Sequence, residues 1–166
     1  MSKKLSVLLV CTVALLSTLL IPAVLATPPE PASGTWTYTP TVREITKDAD
    51  GNSFMYGEDS GTWTGTFEGT DVLDVFTAVT HKPSKKNPFG LATARGLIYF
   101  EGSVNGKSGT LLIQFEGKKA GDPLLWSGKW MILSGTGDLA NLQGQGAFWG
   151  PSKNLEYSGW IHFDPS

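Results

Sequence analysis

Cysteine and histidine are nearly absent from this sequence of 166 residues. It contains a single cysteine, Cys11, and two histidines, His81 and His162. One cysteine cannot form an intrachain disulfide, and these residues are too few for a zinc site built from several thiolates or three imidazoles. We therefore predict neither a disulfide-stabilised scaffold nor a bound metal ion or other cofactor.

An excess of charge of one sign is also lacking. Lysine and arginine total 13, aspartate and glutamate total 15, and the net charge is −2. Proteins that bind nucleic acid usually carry a basic surface, so this balance argues against a nucleic-acid partner. The Gly-x-Ser-x-Gly motif of serine hydrolases is missing, and Gly135-Thr136-Gly137 lacks the lysine and the helix of a phosphate-binding loop. Whether the protein is an enzyme stays open at this point.

Residues 1–26 have the layout of a secretory signal. Lys3 and Lys4 precede a largely apolar run, and Val24-Leu25-Ala26 offers small side chains for cleavage. Removal would leave 140 residues without cysteine and with a net charge of −4, in a secreted or periplasmic protein. The apolar run is also nearly long enough to span a bilayer. A retained anchor is therefore the alternative, and only that alternative implies contact with a membrane.

Strand patterns dominate the rest of the chain. Thr35-Trp36-Thr37-Tyr38-Thr39 and Thr62-Trp63-Thr64-Gly65-Thr66-Phe67 alternate polar and aromatic side chains with period two, as half-buried strands do. No stretch has a convincing helical period. Asn105-Gly106 predicts a tight hairpin turn. We predict an all-β fold of about eight to ten strands, a small closed antiparallel barrel formed by residues 34–166 after an extended linker, 27–33.

Two further patterns support a barrel. Glycines recur inside the predicted strands, where they usually mark the bulges and bends that a closing sheet needs. The motif Ser-Gly-Thr-Trp-Thr occurs at residues 33–37 and again at 60–64. Two copies are too few for a solenoid. We therefore interpret them as two strands that begin in the same way after a turn. The strand glycines concerned are Gly65, Gly96, Gly128, Gly146 and Gly159.

Carboxylates and tryptophans are the side chains that could carry function. Asp74 lies in an apolar strand pattern with Phe76 and Ala78, and it either faces solvent or lines a cavity, where burial would raise its pKa. Glu101 and Glu116 have more polar neighbours, and we expect them to face solvent. The six tryptophans fit a core, although exposed tryptophans would favour stacking on sugars.

The segment Leu133–Phe148 resembles the signature of a bacterial domain-of-unknown-function family that is related to the barrels of allene oxide cyclase and dirigent proteins. The likeness rests on its Gly-Thr-Gly turn, the aliphatic residues that follow, and a later Gly-x-Gly. Three other pieces occur in the family's order: Phe67-Glu68-Gly69-Thr70, Gly96–Gly102 and Gly106–Thr110. The resemblance implies an allene-oxide-cyclase-like, calycin-like barrel with a central cavity, and self-association into a homo-oligomer.

The sequence departs from that family at three positions. Ile98 and Tyr99 stand where the family often has an acidic and a basic residue, and Phe115 stands where it often has a histidine. These departures weaken a transfer of catalytic residues, and fold transfers between such relatives better than function does.

Three functions remain open. The first is binding of a small, mostly apolar ligand in the cavity, for which a few polar groups among apolar ones are typical. The second is a cyclase or isomerase for a lipid-derived or polyketide-like substrate, with Asp74 as acid/base and Tyr99 as polarising group. The third is a carbohydrate- or surface-binding module. The candidate ligand-binding residues are Asp74, Arg95, Tyr99, Gln114 and Trp130.

Overall fold

The computed structural model describes residues 27–85, 88, 90–121 and 123–165, with the side chains of 72 and 73 left aside. The predicted signal segment, 1–26, lies outside the described residues. Within them the chain forms eight strands and one short 3-10 helix, Gly137–Leu139. No helix in this part of the chain is long and apolar enough to cross a membrane. The strands are β1 (Glu30–Lys47), β2 (Ser53–Gly65), β3 (Phe67–His81), β4 (Leu91–Val104), β5 (Lys107–Ala120), β6 (Leu125–Gly135), β7 (Leu142–Gly150) and β8 (Asn154–Phe163).

The strands form a closed antiparallel ring. Each strand pairs with the next along the chain, and β8 pairs with β1, so the hydrogen bonds run through all eight strands without an edge. The turn between β4 and β5 is the predicted tight hairpin, with φ of 50° at Asn105 and 78° at Gly106. The prediction of an all-β, closed antiparallel fold is confirmed.

β1 begins earlier than the sequence indicates. Glu30 pairs with Ile161 of β8, and Ala32 is buried in the interior. Residues 30–33, which we predicted as part of an extended linker, therefore belong to the first strand. The reason is that β8 supplies a ladder of backbone partners, which outweighs the poor strand propensity of Pro31.

One end of the barrel is filled by a hydrophobic core. Leu139 of the 3-10 helix and Leu142 at the start of β7 are fully buried there, and Leu139 lies against the backbone of Gly109 on β5. Aromatic rings pack edge to face above them, including Phe67 against Phe100 with centroids 5.9 Å apart. This end is closed by side chains, so any interior space must lie toward the other end.

The strand glycines make room for aromatic rings. A Cβ on Gly96 would lie 2.7 Å from the ring of Phe115, and one on Gly146 or Gly159 would lie within 2.6 Å of the ring of Trp130. The register shifts of the sheet occur elsewhere, for example at Leu112/Ile113. Our interpretation as bulges or bends is therefore wrong for Gly96, Gly128, Gly146 and Gly159, which leave room for aromatic rings. It is correct for Gly65, which has a φ of 95° at the end of β2, next to the bend before β3.

Candidate functional site

An interior cavity of about 230 Å³ lies between the aromatic core and the open end of the barrel. Three small residues in one row line it: Ala78, Ala94 and Gly117 are successive cross-strand partners on β3, β4 and β5. A second cavity of about 380 Å³ adjoins it at the rim and shares Met55, Ala78 and Trp126 with it. The aromatic wall of the inner cavity is formed by Trp36, Tyr38, Phe76, Phe115, Trp126 and Phe148.

Three buried aspartates meet beside this cavity. Asp59 on β2 and Asp74 on β3 are direct cross-strand partners, and Asp71 lies three residues before Asp74. In a regular strand, residues three apart point to opposite faces. A bulge between Asp71 and Leu73 inserts one extra residue and turns both Asp71 and Asp74 inward. The bulge therefore creates the cluster.

Asp71 is held by two indoles. Trp36 Nε1 donates to Oδ2 at 2.7 Å, and Trp63 Nε1 donates to Oδ1 at 2.5 Å. Trp36 and Trp63 are cross-strand partners whose rings stack with centroids 5.2 Å apart. They are the tryptophans of the two Ser-Gly-Thr-Trp-Thr copies, so the repeat builds a pair of N–H donors for one carboxylate. Gly61 of the second copy leaves room for the contact, because a Cβ there would lie 2.6 Å from Asp71 Oδ2.

Asp74 is fully buried and interacts with Asp71. Its Oδ1 accepts a hydrogen bond from the backbone N–H of Tyr99 at 3.0 Å, whereas Oδ2 has no donor within reach. Burial, the charge of Asp71 and a hydrogen bond to Asp71 together raise the pKa of Asp74 far above its ordinary value. Burial raises the pKa of Asp71 as well, but hydrogen bonds from Asp74, Trp63 and Trp36 oppose the rise. Asp71 therefore ionises before Asp74, and the protonated Asp74 donates to it.

Asp59 is the aspartate that faces the cavity. It lines the cavity wall, is 8% exposed, and its Oδ1 has no hydrogen-bond partner. Burial and the charge of Asp71 raise its pKa to about 7. An unpartnered buried polar atom is costly unless something else satisfies it. The cavity thus combines an apolar wall with one carboxyl group that lacks a partner.

The cluster does not form a metal site. Both oxygens of Asp71 accept hydrogen bonds from indole N–H groups. A cation bound to Asp71 would displace these N–H groups, and each would lose its acceptor. Over the described part of the chain, no group of three or more Asp, Glu, His or Cys side chains is arranged to hold a metal ion. The arrangement is suited to hydrogen bonding and proton transfer.

Two of the five predicted site residues point into the barrel. Asp74 is fully buried beside Asp59, but it does not line the cavity itself. Trp130 is 3% exposed and packs in the core, where its Nε1 donates to the carbonyl of Ala147 at 3.2 Å. The prediction that burial would raise the pKa of Asp74 is confirmed.

The prediction of an interior position is wrong for Arg95, Tyr99 and Gln114. Their strand neighbours Ile98 on β4 and Phe115 on β5 are buried in the core, so the period-two alternation places these three side chains on the outer face. Tyr99 still contributes its backbone N–H to Asp74. Apolar neighbours along a strand do not by themselves show which face of that strand lies inside.

Arg95 lies in a wide depression of about 1130 Å³ on the outside of the sheet. Its wall is formed mostly by outward-pointing residues of β1 to β7, including Tyr56, Glu116 and Lys129. Charges of both signs occur there, so the depression presents no single electrostatic character. It is larger and more open than the interior cavity, but none of its described lining residues has a buried side-chain polar atom without a partner.

The tryptophans divide between core and surface. Trp36, Trp63 and Trp130 are buried, whereas Trp149 is 41% and Trp160 is 59% exposed. The core reading is correct for the buried three. Trp149 donates to Glu156 at 3.0 Å on the outer face.

Sequence reasoning missed Asp59 and Asp71, the two residues that complete the cluster. Asp59 directly precedes the second Ser-Gly-Thr-Trp-Thr copy, within a run of Gly, Glu, Asp and Ser that is typical of a turn. The repeat itself was the available signal, because each of two buried indole N–H groups requires an acceptor, and a carboxylate has two oxygens.

Comparison with known proteins supports the fold. A family profile described as "Protein of unknown function (DUF3224)" matches residues 32–158. A solved structure of a DUF3224 protein of unknown function from Shewanella oneidensis MR-1 superposes with a TM-score of 0.66 at 18% sequence identity, covering 83% of this chain and 100% of that one. Comparison with curated proteins gives no significant match. The family profile spans most of the barrel, and the chain therefore belongs to DUF3224, a family of proteins of unknown function.

Proposed function

We propose that this protein binds a small, mostly apolar ligand in the interior cavity, with the polar end of the ligand at Asp59. The observation that carries the proposal is the unpartnered Oδ1 of Asp59 in a wall of aromatic and aliphatic side chains. Ligand sites are typically concave and apolar with a few convergent polar groups. A ligand that hydrogen-bonds Asp59 would remove the cost of its missing partner.

The size of the cavity limits the ligand. Pockets that bind drug-sized molecules usually have volumes of about 300–1,000 Å³. The inner cavity is smaller, at about 230 Å³. A compact ring system or a short branched chain fits this space, and a longer ligand would extend past Trp126 into the adjoining rim cavity. The aromatic wall favours flat, apolar groups, which gain from both burial and ring contacts.

The test is an NMR titration of the ¹⁵N-labelled protein with benzyl alcohol, a small apolar probe with one hydroxyl group. We expect shift changes at the indole of Trp126 and the amide of Tyr38. Ala78→Leu adds three carbon atoms to the cavity wall and should weaken binding at least fivefold. Ala147→Leu is the matched control, because Ala147 is exposed and lines the outer depression only. Because Ala78 also borders the outer depression, weakening by Ala147→Leu, with or without weakening by Ala78→Leu, would place binding on the outer face and contradict the proposal.

Asp59 also favours a second function, a cyclase or isomerase for a lipid-derived or polyketide-like substrate. A general acid or base works best when its pKa is near the working pH, and the pKa of Asp59 is about 7. The role that we first gave to Asp74 passes to Asp59, because Asp59 faces the cavity. If a substrate is found, Asp59→Asn should abolish turnover while binding persists. Unchanged turnover in Asp59→Asn would exclude this role.

We further propose that the protein is exported and that cleavage after Ala26 produces a chain beginning at Thr27. The support is the charge and apolar pattern of residues 1–26. Intact mass measurement of the protein recovered from a host with a Sec pathway tests this directly. A mature mass that begins at Thr27 supports export with cleavage, and a full-length chain recovered with the membrane supports the anchor.

A further inference from the structure

We propose that the ligand of the interior cavity carries a protonated amine on its apolar body and that this ammonium group binds the Asp59 carboxylate. The proposal rests on the proposed function and names the chemical class of the ligand. It follows from two properties of the cavity, its uncompensated acidic groups and its aromatic wall.

The acidic groups lack a basic partner. Asp59, Asp71 and Asp74 lie together, and none of them takes part in the ion pairs of the described residues, Arg43–Glu58 and His162–Asp164. Asp71 accepts from two indoles and Asp74 Oδ1 accepts from the backbone N–H of Tyr99, whereas Oδ1 of Asp59, the aspartate that faces the cavity, receives no donor. Buried carboxylates are normally paired or hydrogen-bonded. The missing partner of Asp59 is a hydrogen-bond donor, and a cationic donor also offsets the accumulated negative charge.

Aromatic rings line the cavity together with Asp59. Trp36 and Tyr38 lie on the same face of β1 with ring centroids 4.8 Å apart, and both line the cavity with Trp126. Ammonium groups are attracted to the faces of tryptophan and tyrosine rings, and more strongly where water is excluded. A cavity lined by both a carboxylate and such rings therefore favours an ammonium over a neutral hydroxyl and disfavours an anion.

The titratable groups that face Asp59 are consistent with this assignment. Asp71 and Asp74 face it from β3, and Tyr38 faces it from β1 with a pKa raised mainly by burial, so Tyr38 stays neutral. Lys153, in the turn between β7 and β8, also lines the cavity, but its residue is exposed and it forms no ion pair with Asp59. Lys153 is therefore placed to attract an anionic ligand, and the experiment must separate the two cases.

Binding of an ammonium is linked to ionisation of Asp59. Below its pKa of about 7 the carboxyl is protonated and offers no negative charge, so binding of the cation must release a proton. Affinity for the amine should therefore rise as the pH increases from 5.5 to 7 and level off by pH 8. A neutral probe should show no such rise.

The test compares three probes of one shape by NMR titration at pH 8: benzylamine, benzyl alcohol and phenylacetate. Wild-type protein should bind benzylamine at least tenfold more tightly than benzyl alcohol, and phenylacetate least. Asp59→Asn should remove the preference for the amine but retain binding of the alcohol. Glu58→Gln is the control, because it removes the neighbouring carboxylate, which pairs with Arg43 and lies outside the cavity lining, and it should keep the preference.

The results separate this proposal from the one on which it rests. Equal binding of benzylamine and benzyl alcohol, or tighter binding of phenylacetate, would overturn the ammonium assignment but leave an apolar-ligand cavity intact. Failure of all three probes to bind would overturn both. If Asp59→Asn does not fold, the pH series on wild-type protein decides: an amine affinity that does not change between pH 5.5 and 8 would contradict the assignment.

Discussion

Asp59 and Asp74 lie directly opposite each other on β2 and β3, and both side chains point into the barrel. Carboxylates in such positions repel each other when both are ionised, and burial adds a further cost. The structure accommodates them because Asp74 is protonated and donates to Asp71, which is held by two indoles. Asp59 is left as the member of the cluster that faces the cavity and can change its charge near neutral pH.

We expect Asp59→Asn to change how stability depends on pH. The pKa of Asp59 is about 7 in the folded protein and 3.8 as its ordinary value. Between these values the unfolded state has lost the proton that the folded state keeps, so the free energy of unfolding falls as the pH rises, by about 1.4 kcal/mol per pH unit. The variant loses this contribution and should be more stable than wild type at pH 8. Urea denaturation from pH 4 to pH 9 measures the effect.

The control for this experiment is Glu58→Gln, which removes an acidic group that pairs with Arg43 on the neighbouring strand. It should keep the wild-type slope between pH 4 and pH 7. Asp71 and Asp74 also have raised pKa values and contribute to the slope in the same direction, so Asp59→Asn reduces the slope without abolishing it. A slope in Asp59→Asn equal to that of wild type would mean that Asp59 is not buried as described.

Asp71→Asn should destabilise the protein by about 1–3 kcal/mol at neutral pH. An asparagine can accept from one indole, but its amide N–H₂ then faces the other, and one buried indole N–H loses its acceptor. Thermal or urea unfolding measures the loss, and near-ultraviolet circular dichroism should report the changed stacking of Trp36 on Trp63. Asp138→Asn, at an exposed site in the 3-10 helix, should change stability by less than about 0.5 kcal/mol. Equal stability of the two variants would argue against the shared acceptor.

Gly146→Ala should destabilise the barrel by about 1–3 kcal/mol or more. Its Cβ would lie 2.0 Å from the carbonyl oxygen of Ser158 and 2.6 Å from the ring of Trp130, so the sheet or the ring must move. Gly106→Asn is the control: that site is open, and asparagine tolerates its φ of 78°. The comparison is made by urea denaturation, and a Gly146→Ala protein as stable as the control would contradict the close approach of ring and strand.

Tyr157→Phe should cost about 1–3 kcal/mol, because one hydroxyl serves two backbone groups. Tyr157 Oη accepts from the N–H of Phe67 and donates to the carbonyl of Thr64, each at 3.0 Å. The phenylalanine would leave the buried N–H of Phe67 without a partner. Tyr56→Phe removes a hydroxyl from a side chain that is 42% exposed and should be nearly neutral. Similar unfolding midpoints for both variants would show that the Tyr157 bridge contributes little.

The fold could be predicted from the sequence because its signals are local. Alternating threonine and tryptophan in 35–39 and 62–67 predicts half-buried strands, and Asn105-Gly106 predicts the hairpin turn. The start of β1 at Glu30 was not predictable in this way, because it depends on pairing with β8 at the far end of the chain. Long-range pairing also determines which face of each strand lies inside.

The site was less predictable, and the bulge at Asp71 is the main reason. Period-two alternation places Asp71 and Asp74 on opposite faces, whereas one inserted residue places both inside. Arg95, Tyr99 and Gln114 were predicted to face the interior, but they lie on the outer face. Ile98 on β4 and Phe115 on β5 pack in the core, and this packing determines which side chains of the two strands point inward. Which face of a strand lies inside depends on the packing of the whole closed sheet, so the sequence of a single strand does not determine it.

The most direct test of the cavity and its polar group is the titration of the Asp59 carboxyl carbon by ¹³C NMR, with and without benzylamine. The account predicts a midpoint near pH 7 in the free protein, with a clear downward shift when the amine is bound. A midpoint near pH 4 that benzylamine does not change would contradict it, because Asp59 would then be an ordinary solvated carboxylate and the cavity would have no polar anchor.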